Sequence, residues 1–509
     1  MLSLYKPATL DSAVAYDYFT ATPLHVLGDG LLAFEPLGLT NARLVPDLAE
    51  AVPVATDDGR TYTFELRPGI RYSTGEVVVP ADFRRALERG FRLDPFNHGD
   101  IYGGLVGGEA CANMPRRCDL SKGIVTDDAS GTITFNLVAP DPDVLNKLTM
   151  PFAYPVPPSA PDEEQAEAGI PGTGPYMPAA PMTRHGLVLV RNPYFQVWSP
   201  ATRPDGNVDR IEWTFRVEPQ AQVEAVIAGD TDVAFDADTS DRLDDILVRF
   251  PAQVHTSAKA ATYFLELEIE EPPFDDIRVR RALNYAVDRD RVVEIFGGAA
   301  LPTCQQLPPN FPGYEPYCPY TSDPARGGEG SWTAPDLEEA ERLIRRSGTE
   351  GMRVTFEYTP LYWDPDGGEL GDYMVELLNG LGYHASVKPL PPAVFYDPGT
   401  ELQMPLVGWT LDYPAASNFL ANRFHCDANL GLGFCDPRID AMMDHAARIQ
   451  EDDPAASGAL WAEVDHAIVD EALYIWLINP INVGFVSERV GNYQYGLQWG
   501  VLLDQLWVQ

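Results

Sequence analysis

The segment DDIRVRRALNYAVDRDRVVEIFGG, Asp275 to Gly298, carries Arg278, Arg280, Arg281, Arg289 and Arg291 in one short stretch. Guanidinium groups at this density are the standard means of holding a carboxylate or phosphate. Helical geometry argues against a focused cradle here, because residues one and two apart fall on different faces, so 278, 280 and 281 cannot all converge. The segment therefore reads as a pair of scaffold helices with solvated, ion-paired arginines. Asp276 and Asp288 are the expected N-caps, and Gly297 the residue just past the second helix.

The remaining candidates for chemistry are few. The chain contains no GxSxG, HExxH, GxxxxGK[ST] or GxGxxG, and no two of its eight histidines stand four apart. GTGPY (Gly172–Tyr176) lacks the lysine and helix start of a phosphate loop. No catalytic residues, metal site or cofactor are read from the sequence, and no enzyme is expected. GWTLDYP holds a carboxylate among aromatics, Asp412 with Trp409 and Tyr413. A carboxylate enclosed by aromatics needs a cationic partner to offset its desolvation, and an indole provides a flat apolar wall for an organic ligand. The competing reading makes Asp412 the cap of a helix after Pro414, with Trp409 in the core. Tyr362 and Trp363 either line a wider apolar cleft or pack internally.

Six cysteines fall into three local couples, Cys111 with Cys118, Cys304 with Cys318, and Cys426 with Cys435. None has zinc-finger spacing, so three short-loop disulfides and an oxidising, extracytoplasmic compartment are expected.

Composition bounds the rest. The 509 residues are enough for two or three domains. A net charge of −39 excludes nucleic acid as a partner and disfavours anionic membranes. No apolar run reaches the about 18 residues a membrane span requires. MLSLYKPATLDS is not a signal peptide, so a leader has been removed or the chain is part of a larger one.

Strands that alternate and helices with 3.6 periodicity mix along the whole chain, the pattern of an α/β or α+β protein. Tyr62, Phe64 and Leu66 share a strand face, as do Ile211, Trp213, Phe215 and Val217. So do Tyr263, Leu265, Leu267 and Ile269, and likewise Val354, Phe356 and Tyr358. TAPDLEEAERLIRRSG opens with Thr333 and Asp336 in a capping-box pattern and stops at Gly348. Ile439, Met442, Met443, Ala446 and Ile449 form one helical stripe, and Trp461, Val464, Ile468 and Ala472 another. The proline-rich stretch AYPVPPSAPDEEQAEAGIPGTGPY is the best candidate boundary.

Taken in order, several of these stretches resemble the peptide and nickel class of ABC-importer solute-binding proteins, extracellular solute-binding protein family five. The carriers are LVPDLAEAVPVATDDGRTYTFELRPGIRYSTGEVVVPADFRRALER, GTGPY, LVRNPYFQVW, VDRIEWTFRVEPQAQVEAVIAGDTDVAF, DDIRVRRALNYAVDRDRVV, GWTLDYPAASNFL and CDPRIDAMMDHA. The resemblance implies a periplasmic-binding-protein-like fold, two α/β lobes around a two-strand hinge with an extra domain inserted in the first. Lobe I is then 1–40, 172–262 and 484–509, the inserted domain 41–171, and lobe II 263–483. Hinge crossings are expected near Ala261–Glu266 and Asn479–Val483. It also implies a monomeric receptor, lipid-anchored or secreted, that delivers a solute to ABC permease subunits after hinge closure. In peptide-binding relatives the aspartate at the position of Asp412 pairs with the ligand's α-ammonium. YTPLYWDPDGGELGDYMV, where dipeptide binders place an arginine, has no basic residue, which argues against a free dipeptide. A sensing module of a larger signalling chain and a hydrolase of the same solute are the alternative readings.

Overall fold

Strands and helices alternate from end to end in the computed structural model, which describes residues 1–35, 43–203, 206–240, 242–323, 330–360, 368–397, 399–428, 433–450 and 453–509. The chain divides into two compact units. The first comprises Met1–Thr256, Asp412–Pro414 and Val483–Gln509, the second Ser257–Leu411 and Ala415–Asn482. The chain passes from one to the other after Thr256, Leu411, Pro414 and Asn482, and the three-residue return at Asp412–Pro414 has no counterpart in the sequence reading.

In the first unit the strand Thr61–Glu65 pairs antiparallel with Thr132–Asn136, which pairs with Ile124–Asp127. Tyr62, Phe64, Ile133 and Phe135 are buried, because alternate residues of a strand point to one face. The helix Ala81–Leu93 buries Phe83, Ala86, Leu87 and Phe91. A second sheet joins Tyr176–Pro178, Gly186–Arg191 and Arg210–Thr214. Leu187, Leu189, Ile211, Trp213 and Phe215 share its core with Val486 and Leu503. The proline-rich stretch is tied down within this unit. Arg89 forms a buried bidentate pair with Asp11 at 2.7 and 2.6 Å and donates to the carbonyls of Pro161 and Glu163, while Asp11 accepts from the Gln165 amide.

In the second unit Ala261–Glu266 lies between Leu406–Thr410 and the long strand Tyr474–Val486, antiparallel to both. Arg353–Tyr358 and His384–Pro389 run parallel, as the intervening helix Gly368–Gly380 allows. Leu265, Leu267, Val279, Leu283, Val354, Phe356, Met374, Leu406, Ile475 and Leu477 meet in one core. Full burial of each such side chain contributes about 1.5–3 kcal/mol.

The three cysteine couples are disulfides, closing sequence separations of 7, 14 and 9 residues. Asp276 caps Ile277–Ala286 by accepting from the Arg278 amide, and Asp288 caps Arg289–Ile295. Gly297 follows with φ +76°, and its amide and that of Gly298 bond back to Glu294 and Val293. The expected capping box at Thr333 starts three residues later. Asp336 is the N-cap and accepts from Glu339, whereas Thr333 bonds to Thr321 instead.

Candidate functional site

Asp412 follows directly on the strand Leu406–Thr410 and Leu411, at the point where the chain returns to the first unit. It does not cap the following helix. That helix, Ala416–Phe424, has Ala415 as its N-cap and no side-chain cap bond. The Asp412 carboxylate instead hydrogen-bonds Tyr16. Tyr16 is 41% exposed as a residue, yet burial at its hydroxyl end comes first in pushing its pKa up, followed by the charge and hydrogen bond of Asp412. Asp100 and Asp94 push the same way. Tyr102, buried, is raised by its burial and then by Asp412. Gln498 donates its amide to the Asp412 carbonyl at 3.3 Å and to Thr149 Oγ1 at 3.2 Å, and Tyr16 stacks on Phe152 with ring centroids 5.9 Å apart. Three carboxylates acting on one phenol make a locally anionic field, the electrostatic complement of a cation.

Trp409 stands on the second unit's sheet, and strand register explains what holds it. Trp409 lies opposite Thr262, Phe264 opposite Trp476, and Glu266 opposite Tyr474, so all six share one face. The other face carries Leu265, Leu406, Ile475 and Leu477 into the apolar core. Above the polar and aromatic face runs the helix Ala416–Phe424. Its buried Arg423 sits over the rings of Phe264, Tyr474 and Trp409, at 5.2, 5.4 and 5.5 Å from their centroids. Arg423 is ion-paired with Glu266 and donates to the Tyr474 hydroxyl at 3.0 Å. Trp409 Nε1 donates to Asn418 Oδ1 at 3.3 Å. A guanidinium on one side and an amide at the edge fix this half-buried indole, so it is neither core nor a free surface ring.

Of the other candidates, Tyr413 is buried at 2% exposure, and Tyr362 and Trp363 lie outside the described residues. The arginine-rich helix pair is scaffold of a different kind from the one expected. Arg289 is fully buried and donates to the carbonyls of Thr303, Trp476 and Asn284. Arg280, also buried, caps the carbonyls of Phe274 and Glu471. Among the described residues, Arg278 and Arg291 alone of the five form the surface ion pairs the sequence suggests, with Asp276 and Glu294. Free carbonyls at loop and helix ends recruited the two central arginines, a demand that charge patterning does not reveal. Tyr16, Gln498, Asn418 and Arg423 were not singled out from sequence, because each acquires its role from a partner distant in the chain or on another element.

GTGPY also gains a physical reason. A Cβ on Gly172 or Gly174 would stand 1.9 Å from the Leu27 carbonyl oxygen or 2.5 Å from that of Val26. Glycine lets this turn lie against the end of the helix Tyr18–Leu27, where the Gly174 amide bonds Leu27 O and Thr173 Oγ1 accepts from the Asp29 amide.

Comparison with known proteins agrees with this architecture. Residues 43–431 match the family described as bacterial extracellular solute-binding proteins, family 5 Middle. The periplasmic oligopeptide-binding protein OppA of Salmonella typhimurium is 24% identical, with 90% of this chain and 84% of that protein covered. The glutathione-binding protein GsiB of Pectobacterium atrosepticum is 26% identical over 63% of this chain and 58% of its own. Among solved structures, clavulanic acid biosynthesis oligopeptide binding protein 2 superposes with a TM-score of 0.82 at 24% identity, covering 100% of this chain and 94% of that one. OppA of Haemophilus influenzae, in complex with RPPGFSPFR, gives 0.74 at 19% identity, covering 100% and 98%. The chain belongs to the bacterial extracellular solute-binding proteins of family 5.

Proposed function

We propose that the chain is an extracytoplasmic receptor that captures a peptide or peptide-like solute and hands it to the permease of an ABC importer, and that it is not an enzyme. The observation that carries this reading is the anionic field at Tyr16. Asp412, Asp94 and Asp100 all act on its hydroxyl, and a peptide's α-ammonium is the counter-charge such a field favours. Trp409, steadied by Arg423 and Asn418, supplies a flat apolar wall for the ligand. Tyr413, Tyr362 and Trp363 belong to the same proposal, as do hinge closure and the division into two lobes and an inserted domain. The similar Haemophilus influenzae structure holds a nine-residue peptide, and that of DppA from Helicobacter pylori the peptide STSA. Three disulfides suit an oxidising compartment.

Ligand released by denaturing the purified chain and identified by mass spectrometry provides the probe for calorimetry. Asp412→Asn removes a charge-assisted bond and leaves a cation without its partner. Losing one side of such a pair costs about 2–5 kcal/mol, so affinity falls more than tenfold. N-acetylating the peptide weakens wild-type binding by a similar factor and the variant hardly further. Equal wild-type affinity for free and acetylated peptide would return Asp412 to a structural role.

A further inference from the structure

In a chain of net charge −39, residues 84–122 carry seven basic against five acidic side chains. Within that segment an open pocket of about 520 Å³ is lined by Arg92, Pro95, Met114, Pro115, Arg116 and Arg117. The floor and the rim differ in chemistry. Pro95 and Pro115 begin the helix Pro95–Tyr102 and the 3₁₀ turn Pro115–Arg117, and both present rigid apolar rings. Met114, 53% exposed, joins them. Beside Pro95 stands Phe96, at 69% the most exposed aromatic residue among the described ones. The rim is three guanidinium groups. Arg92 pairs with Asp162 at 3.1 Å, a carboxylate almost fully in solvent. Arg116 and Arg117 are exposed, and among the described residues neither guanidinium has a hydrogen-bond or ion-pair partner.

The pocket is held in shape. The Cys111–Cys118 disulfide closes the loop that carries Met114, Pro115, Arg116 and Arg117. Within it the Met114 amide bonds Ala110 O, the Arg117 amide Met114 O, and the Cys118 amide Pro115 O. A cross-link around four lining residues limits the ordering cost that flexible arginines on an open loop would incur on binding.

We propose that this pocket is a docking site for an acidic segment of another protein, one that places an apolar side chain on Met114, Pro95 and Pro115 and carboxylates on Arg92, Arg116 and Arg117. Arginine, methionine and exposed aromatics are the residues enriched at protein interfaces and at their energetic centres. Planar guanidinium groups match carboxylates in two-point geometry. The charge balance selects the partner. The rest of the chain repels an acidic molecule at long range, so contact concentrates where positive charge is local and unpaired. Anionic lipid surfaces and nucleic acid would instead meet the whole −39 charge over a broad face. The site is independent of Asp412 and needs no free α-ammonium.

The test uses the whole disulfide-bonded chain and a doubly capped pentapeptide, carboxyfluorescein-Glu-Asp-Leu-Glu-Asp-amide, in which the label is the N-terminal acyl cap, read by fluorescence anisotropy at about 50 mM salt, where surface charges are weakly screened. Capping removes the ammonium that Asp412 would bind. Saturable binding is expected, weakened at least tenfold by Arg116→Ala with Arg117→Ala, several-fold by Met114→Ser, and absent for the same peptide with lysine at its four acidic positions. All three substituted side chains are exposed, and an unchanged unfolding transition shows that each variant is folded. No saturable binding, equal affinity in the double-arginine variant, or equal binding of the lysine peptide would overturn the proposal. So would complete displacement by an equal concentration of inorganic phosphate, which would mark an unselective anion site.

Discussion

Two buried carboxylate sites, one in each unit, are satisfied by opposite means. In the second unit Asp465 is fully buried on the helix Pro454–Glu471 and meets only neutral donors. Gln305 Nε2 donates to it at 2.8 Å, the Gln306 amide at 3.1 Å and the Leu307 amide at 3.2 Å. Burial pushes its pKa up to about 6, and those bonds pull the other way. In the first unit Asp29, Asp47 and Asp504 are buried together with Arg203 and His25. Arg203 Nε lies 2.9 Å from Asp29 Oδ1, and His25 Nε2 3.6 Å from Asp504 Oδ1. The directional bonds around them are that of Thr202, which donates to Asp47 at 3.0 Å, and those of Arg203 to the carbonyls of His25 and Gly28, while Asp29 meets Arg203 as an ion pair. One cluster is held by directional bonds, the other by the balance of charge. Disturbing geometry should hurt the first, and disturbing charge the second.

Arg203→Met should therefore be the most damaging single change among these residues. It keeps the length of the side chain and removes the cation that faces three buried carboxylates. Removing one partner of a buried ion pair costs about 3–5 kcal/mol, which urea unfolding of the disulfide-bonded chain would register as a lower midpoint. Adding Asp29→Asn should recover part of the loss, because one of the orphaned charges goes with it. Additive losses would mean that the two side chains do not act as a charge pair.

Asp465→Asn should cost less, about 1–3 kcal/mol. The carboxylate accepts at both oxygens, so an amide in either orientation turns an N–H toward a donor. The effect should be local. Amide hydrogen exchange should rise at Gln306 and Leu307, within the Cys304–Cys318 loop, before it rises elsewhere. A uniform rise across the unit would break the comparison, since it would make Asp465 a determinant of global stability.

The same contrast explains what the sequence made legible. Periodicity located strands such as Ala261–Glu266 and the stripe of Pro437–Ile449, because burial repeats at fixed intervals in both. Local chemistry located Asp276, Asp288 and Gly297, since caps act within a few residues of themselves. The cysteine couples were legible because each is close in sequence. Asp412 and Trp409 stood out only as residue types in a motif. Their partners Tyr16 and Arg423 come from an N-terminal segment and a following helix, and no local pattern announces a contact made across the fold. Arg280 and Arg289 misled for the same reason. An arginine that caps buried carbonyls looks, in sequence, like one that faces water.

The smallest expected effect lies in pH. Burial, and after it the charge of Asp29, pushes Asp47 up to about 8, against an ordinary value of 3.8, while Arg203 and the Thr202 hydrogen bond oppose the rise. At pH 6 the folded chain thus holds a proton on Asp47 that the unfolded chain has released. The unfolded state binds fewer protons, so stability falls as pH rises through 8. Asp465, at about 6, gives the same sign but completes its change lower, between about pH 4 and 6. His25 works in the opposite direction. Burial and then Arg203 lower its pKa from 6.5, so its contribution is lost as pH falls below that value. The difference between wild type and Asp47→Asn removes the terms common to both. From pH 6 to pH 8 the wild type should lose on the order of 1 kcal/mol relative to the variant, measured as the shift in urea midpoint at fixed salt. Parallel pH profiles would show Asp47 ionised throughout, and the unit 1 cluster would then be a fully charged network rather than one balanced by a proton.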